Sequence, residues 1–158
     1  MFSLDSRLRD DSFIIGRFPL SLLLLSRDAN YPWCILVPER ENTYELYHLA
    51  DEDQVQLVRE SSRLTEVMNS IFDADKMNIA TLGNVVPQLH LHHVARYQSD
   101  PAWPGPVWGK VEPKSYEPEA LKALVEKITN ALAGENFTAI AEGGDIATKT
   151  VQRPTIDC

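Results

Sequence analysis

The stretch that decides the fold is "GNVVPQLHLHHVARY", Gly83 to Tyr97. Three of the chain's four histidines stand in it, at positions 90, 92 and 93. In an extended segment successive side chains point to opposite faces. Gln88, His90, His92 and Val94 then share one face, and Leu89, Leu91, His93 and Ala95 the other. The first half of the second face reads as core. The first face carries polar groups where a buried strand would carry aliphatics. Two imidazoles two residues apart lie about 7 Å from each other by strand rise. That spacing lets both reach one ligand from a cavity while each keeps its own partner.

Upstream, "SFIIGR" (12–17), "LSLLLLS" (20–26) and "WCILVP" (33–38) are short apolar runs separated by turn material, and they read as strands. "TYELYHL" (43–49) reads as another. A helix follows, with Asp51 and Gln54 as its cap and Leu57, Leu64, Met68, Ile71 and Phe72 as its apolar stripe. "DADKMNIATLGN" (73–84) returns to strand character before the histidine segment. Downstream, "SDPAWPGPVWGKVEPKSY" (99–116) is rich in proline, which fixes φ and removes donors, so it is expected to wrap irregularly over the body. A second helix starts near Pro118, runs through Leu121, Leu124, Val125, Ile128 and Leu132, and stops at Gly134. The tail from 138 to 158 is weakly patterned. Antiparallel strands with segregated helices make an α+β fold, expected as a single domain over 1–158.

The totals narrow the function. With 158 residues and a formal net charge of −8, the chain repels phosphate backbones, which argues against nucleic acid. A small anionic ligand remains open to it, because a pocket's local field can oppose the global sign. Two cysteines, Cys34 and Cys158, make neither a disulfide framework nor a CxxC site, so a reducing cytoplasm fits. The charged start "MFSLDSRLRDD" is unlike a signal peptide, and "LSLLLL" is too short to span a membrane. We expect no membrane partner.

The histidine face has three readings. It is a solvated strand face, a metal-binding His-x-His, or a nucleophilic imidazole with a neighbour that handles charge and protons. A cupin-like metal site would want a glutamate near position 96, where Arg96 stands, and His48 is isolated. We therefore expect no resident metal and take the third reading. A neutral imidazole is a competent nucleophile toward phosphorus near pH 7.

"QLHLHHVAR" (88–96) resembles the signature of the histidine triad (HIT) nucleotide hydrolases and transferases, His-φ-His-φ-His-φ-φ. "NIATLGN" (78–84) is similar to the Asn…Gly-Gln stretch before that triad. "LLLLSRDANYPWCILVPER" (22–40) is similar to the earlier segment ending in Gly-His-x-Leu-Val-x-Pro-Lys. The resemblance covers roughly residues 12 to 98 and implies an antiparallel sheet of about five strands with a long helix, a homodimer, and a small nucleotide as partner. It implies that His90 attacks an α-phosphate and that His92 contacts the phosphate and helps the leaving group depart. Asn78, Gly83 and Asn84 would line the phosphate site, and Asp28 would meet the ribose or simply form the turn in "RDAN"; by its own position Arg96 pairs with phosphate or makes a salt-bridged strand end. Diadenosine tetraphosphate and nucleoside phosphoramidates are the implied substrates, with magnesium arriving on a polyphosphate. Two positions depart from the pattern: Gln88 stands at the first triad position, and Trp33 where the family has its Gly-His histidine. They keep open a non-catalytic, nucleotide-binding or regulatory protein on the same scaffold. His93 is expected to be structural, and Trp103 and Trp108 to anchor the proline-rich loop in preference to capping the nucleotide pocket or stacking on a base.

Overall fold

The apolar runs pair into one antiparallel sheet. In a computed structural model, which describes residues 1–140, a short helix α1 (Ser6–Asp10) precedes strands β1 (Ser12–Arg17), β2 (Ser21–Ser26) and β3 (Trp33–Pro38). The long helix α2 (Asp51–Phe72), strands β4 (Lys76–Ala80) and β5 (Leu91–Arg96), helix α3 (Pro118–Leu132) and the two-residue strand β6 (Thr138–Ala139) follow. The sheet order is β4-β5-β3-β2-β1-β6, and every pair is antiparallel. β6 makes the sheet six-stranded, one more than expected. The tail beyond 140, with Cys158, lies outside the described residues.

Both faces of this sheet are covered, which explains why β2 and β3 read as continuous apolar runs. Leu23, Leu25, Cys34, Leu36, Leu91 and Ala95 pack against Leu57, Leu64 and Met68 of α2 and Leu121, Val125 and Ile128 of α3. Leu22, Leu24, Trp33, Ile35, Val37 and Val94 on the opposite face pack with Leu4 and Leu8 from the N-terminal segment and Ala102 and Val107 from the proline-rich stretch. That stretch contains neither helix nor strand. It is tied back where the amide of Ala29 donates to the carbonyl of Lys114 (2.7 Å). No helix among the described residues is long and apolar enough to cross a membrane.

Three expectations change. Residues 43–49 form no strand: Leu46–His48 make a 3-10 turn, with Tyr44, Leu46 and Tyr47 exposed. The His48 ring holds that turn by accepting from the amides of Tyr44 and Glu45. Helix α2 is capped at Ala50 rather than Asp51, and Asp51, Glu52 and Asp53 occupy its first turn, where negative charge meets the positive end of the helix dipole. The histidine strand begins only at Leu91, opposite Leu36 of β3. β4 ends at Ala80, opposite His92, so residues 88–90 have no ladder partner and run as loop.

Candidate active site

His90 is the last loop residue before β5, and His92 is the second residue of that strand, opposite Ile35. Their rings meet edge to face with centroids 4.9 Å apart. The shared face expected from alternation is therefore present. His90 is 1% exposed and His92 0%, so both rings lie beneath the surface.

Each ring has a defined tautomer because its partner has a single hydrogen-bonding capability. His90 Nδ1 stands 2.6 Å from the main-chain oxygen of Gln88. A carbonyl only accepts, so Nδ1 carries the proton and the lone pair sits on Nε2. His92 Nδ1 accepts from the indole N–H of Trp33 at 2.9 Å. An indole only donates, so the His92 proton is on Nε2. Trp33 reaches His92 across the ladder: it pairs with Val94, two residues along the same face.

His92 Nε2 is buried without a hydrogen-bond partner among the described residues, and so is Nε1 of Trp108. The Trp108 ring stands edge-on to His92 at 5.1 Å and to Trp33 at 5.8 Å. Two buried donors beside the His90 ring are costly to leave unsatisfied, and together they suit an anionic oxygen. Burial pushes the His90 imidazole below its ordinary range, opposed by its bond to Gln88 and by the charge of Asp5. Burial takes His92 well below that range, helped by the charges of His90 and His93. Both rings are therefore neutral near pH 7.

The Gln88 side chain faces the N-terminal segment. Its Oε1 accepts from the amide of Asp5 at 2.8 Å, and its Nε2 donates to the carbonyl of Ser3 at 2.9 Å. A cleft of about 420 Å³ borders this junction, lined among others by Phe2, Ser3, Asp5, Arg7, Thr43 and Gln88. Sequence reading missed this strap, since nothing local links positions 3 and 88.

The remaining candidates occupy other networks. Arg96, 1% exposed, donates from Nε and Nη2 to the Asp100 carboxylate at 2.8 and 3.0 Å and from Nη1 to Asn78 Oδ1 at 2.7 Å. Burial would raise the Asp100 carboxyl, but Arg96 and the amides of Tyr97 and Ala102 hold it down to about 2. Trp103 lies over the same guanidinium, 5.8 Å from it. Asp28 Oδ1 accepts from the Asn30 amide, the Asn30 side chain and the Lys114 amide, pinning the proline-rich stretch. Gly83 sits at φ +82°, where a side chain is strained, and turns the chain between β4 and β5; Asn84 follows it, exposed. His93, on the other face, donates from Nδ1 to the carbonyl of Leu91 at 3.0 Å and accepts at Nε2 from the Ser61 hydroxyl at 2.7 Å. No cluster of three or more His, Cys, Asp or Glu among the described residues is arranged to hold a metal.

Two side chains outside the expected catalytic set, Trp33 and Trp108, both meet His92. The only sequence signal for Trp33 is its alignment with a histidine in the resembling family.

Comparison with known proteins gives the family and the fold. The HIT domain pattern matches residues 7–99. A histidine triad protein from Marinobacter aquaeolei is 49% identical, with a TM-score of 0.82 over 84% of this chain and 96% of that one. One from Bradyrhizobium japonicum is 42% identical, with a TM-score of 0.82 over 84% of this chain and 98% of that one. A third, from Sinorhizobium meliloti, is 37% identical, with a TM-score of 0.81 over 83% of this chain and 97% of that one. Comparison with curated proteins returned no match.

Proposed function

The chain belongs to the HIT domain family, and from that premise we propose that it hydrolyses or transfers at the α-phosphate of a nucleotide through a covalent nucleotidyl-histidine at His90. The observation that carries this reading is the pair of opposed tautomers. His90 keeps its lone pair on Nε2 because Gln88 O takes the Nδ1 proton. His92 keeps its proton on Nε2 because Trp33 donates to Nδ1. One ring is thereby a nucleophile and its neighbour, 4.9 Å away, a donor to the phosphate.

Gly83 and Asn84, in the loop leading to the histidines, contribute phosphate contacts in this reading. Asp28, Asn78 and Arg96 act as framework, because the polar atoms described above are engaged with Lys114, Asp100 and each other. Substrate entry requires the cover over His90 to shift. Dinucleoside polyphosphates such as diadenosine tetraphosphate and nucleoside phosphoramidates are the candidate substrates, with magnesium accompanying a polyphosphate. The same reading includes a cytoplasmic setting, in which the buried Cys34 thiol, pushed up to about 12 by burial, stays reduced, and a homodimer, which sedimentation tests.

The decisive experiment mixes the protein with labelled diadenosine tetraphosphate, quenches in alkali and searches the peptide spanning 88–96 for an adenylyl group. An adduct that His90→Ala abolishes is the expected result. Nucleotide binding without an adduct would favour the second reading, a non-catalytic nucleotide-binding or regulatory protein, which the burial of both rings supports.

A further inference from the structure

We propose that Trp33 is a positioning residue that fixes His92 as a permanently neutral donor, so that the site cleaves phosphoanhydrides (P–O–P) and discriminates against phosphoramidates (P–N). This rests on the reading of His90 as nucleophile and assigns that site its substrate class.

The reaction needs a proton only for some leaving groups. His90 Nε2 gives its lone pair to the α-phosphorus and an N–P bond forms. With an anhydride, the P–O bond to the bridging oxygen breaks, and the departing nucleotide keeps the electron pair as a phosphate oxyanion. No proton is called for. Water then attacks the same phosphorus, the N–P bond breaks with its pair returning to Nε2, and the surplus proton of the water passes to solvent. With an amidate, the departing nitrogen must gain a proton as its bond to phosphorus breaks, because an amide anion is far too basic to leave.

Among the described residues, the groups placed around the two rings do not supply that proton. To become an imidazolium, His92 would add a proton at Nδ1, but the Trp33 indole N–H points at that atom from 2.9 Å. Two donors would then face each other in a buried site, and a Trp33 that is 1% exposed has no room to turn away. The other His92 proton, on Nε2, is that of a neutral imidazole, whose loss would leave an imidazolate. Trp108 offers an indole N–H, less acidic still than that of a neutral imidazole. His90 spends its Nδ1–H on the Gln88 carbonyl. Gln88 carries an amide rather than an acid, with both ends tied to the N-terminal backbone. What remains is a set of neutral N–H donors, His92 Nε2 and Trp108 Nε1, which suits non-bridging phosphate oxygens that gain charge in the transition state. The ionisable groups whose charge reaches His92 are His90 on its own face and His93 across the strand; the facing β3 presents Trp33 and Ile35, and the proline-rich stretch presents Trp108.

The test compares kcat/KM of the full-length protein for diadenosine tetraphosphate and for an adenosine phosphoramidate with an alkylamine leaving group. A missing general acid is worth about 10²–10⁴ in rate, so the anhydride is expected to be preferred by about a hundredfold or more. A preference smaller than that overturns the inference while leaving the His90 reading intact, provided the adduct forms. Failure to process either substrate, with no adduct, overturns both. In Trp33→Phe the indole donor is gone and His92 Nδ1 can take a proton, so the preference is expected to shrink at least about tenfold. An equal loss on both substrates, as a merely structural Trp33 would give, refutes the assignment. Because that variant removes a buried side chain, the tautomer is also read directly in the wild-type protein by ¹⁵N NMR of labelled histidine. A neutral Nε2–H form of His92 at pH 6 supports the lock, and an imidazolium there refutes it.

Discussion

Acidification will destabilise this protein through a histidine on the face away from the site. His93 is fully buried between β5 and α2, with Nδ1 donating to Leu91 O and Nε2 accepting from Ser61. Burial pushes it from the ordinary 6.5 down to about 4, against the smaller raising effect of its bond to Leu91. The unfolded chain takes up that proton near pH 6.5 and the folded chain only near pH 4. Between those values the unfolded state binds more protons, so stability is complete above about pH 6.5 and falls as pH drops toward 4. At about 1.4 kcal/mol per pH unit, the full displacement is worth roughly 3 kcal/mol, of which about 2 kcal/mol is lost by pH 4.5. His90 and His92, also displaced downward, act in the same direction, so the wild-type loss alone does not isolate His93. The double variant Ser61→Ala/His93→Leu does, since it removes the titrating ring together with its hydroxyl partner. Equilibrium guanidinium chloride unfolding at pH 7.0 and pH 4.5, followed by circular dichroism, gives the two stabilities. The double variant is expected to lose about 2 kcal/mol less than wild type over that interval. Equal losses in the two proteins would show that His93 is not protonated on unfolding, and the reasoning would fail.

Three further outcomes are expected. His92→Ala should slow turnover of diadenosine tetraphosphate by about a hundredfold while changing nucleotide affinity little; a large loss of affinity with an unchanged rate would contradict the donor role. Gln88→Ala removes both side-chain bonds to Ser3 and Asp5 and should speed carbethoxylation of His90, read by peptide mass spectrometry; an unchanged rate would mean that the N-terminal strap does not control access. Asp100→Asn takes the carboxylate from a guanidinium that is 1% exposed and should cost about 3–5 kcal/mol in urea unfolding, whereas a loss under 1 kcal/mol would indicate that Arg96 finds another partner.

The α+β class, α2, α3 and most strands were legible because each rests on a local period. Leu57, Leu64 and Met68 recur at helical spacing, and "WCILVP" is too short and too apolar to be anything but a covered strand. The run 43–49 misled because its residues favour strand, yet no neighbouring strand offers it a ladder. The start of β5 was invisible for the same reason: the ladder begins where β3 supplies Leu36. Alternation alone put His90 and His92 on one face and His93 on the other.

The amino-acid order by itself therefore determined which side chains share a face and which segments coil. Only the tertiary structure decided what each imidazole can do, because a ring's tautomer depends on the partner it meets. That partner is Trp33, 59 positions from His92, while the segment strapped to Gln88 comes from 83 and 85 positions away. No local period encodes contacts at those separations; they exist once β3 pairs with β5 and the N-terminal segment packs across the sheet.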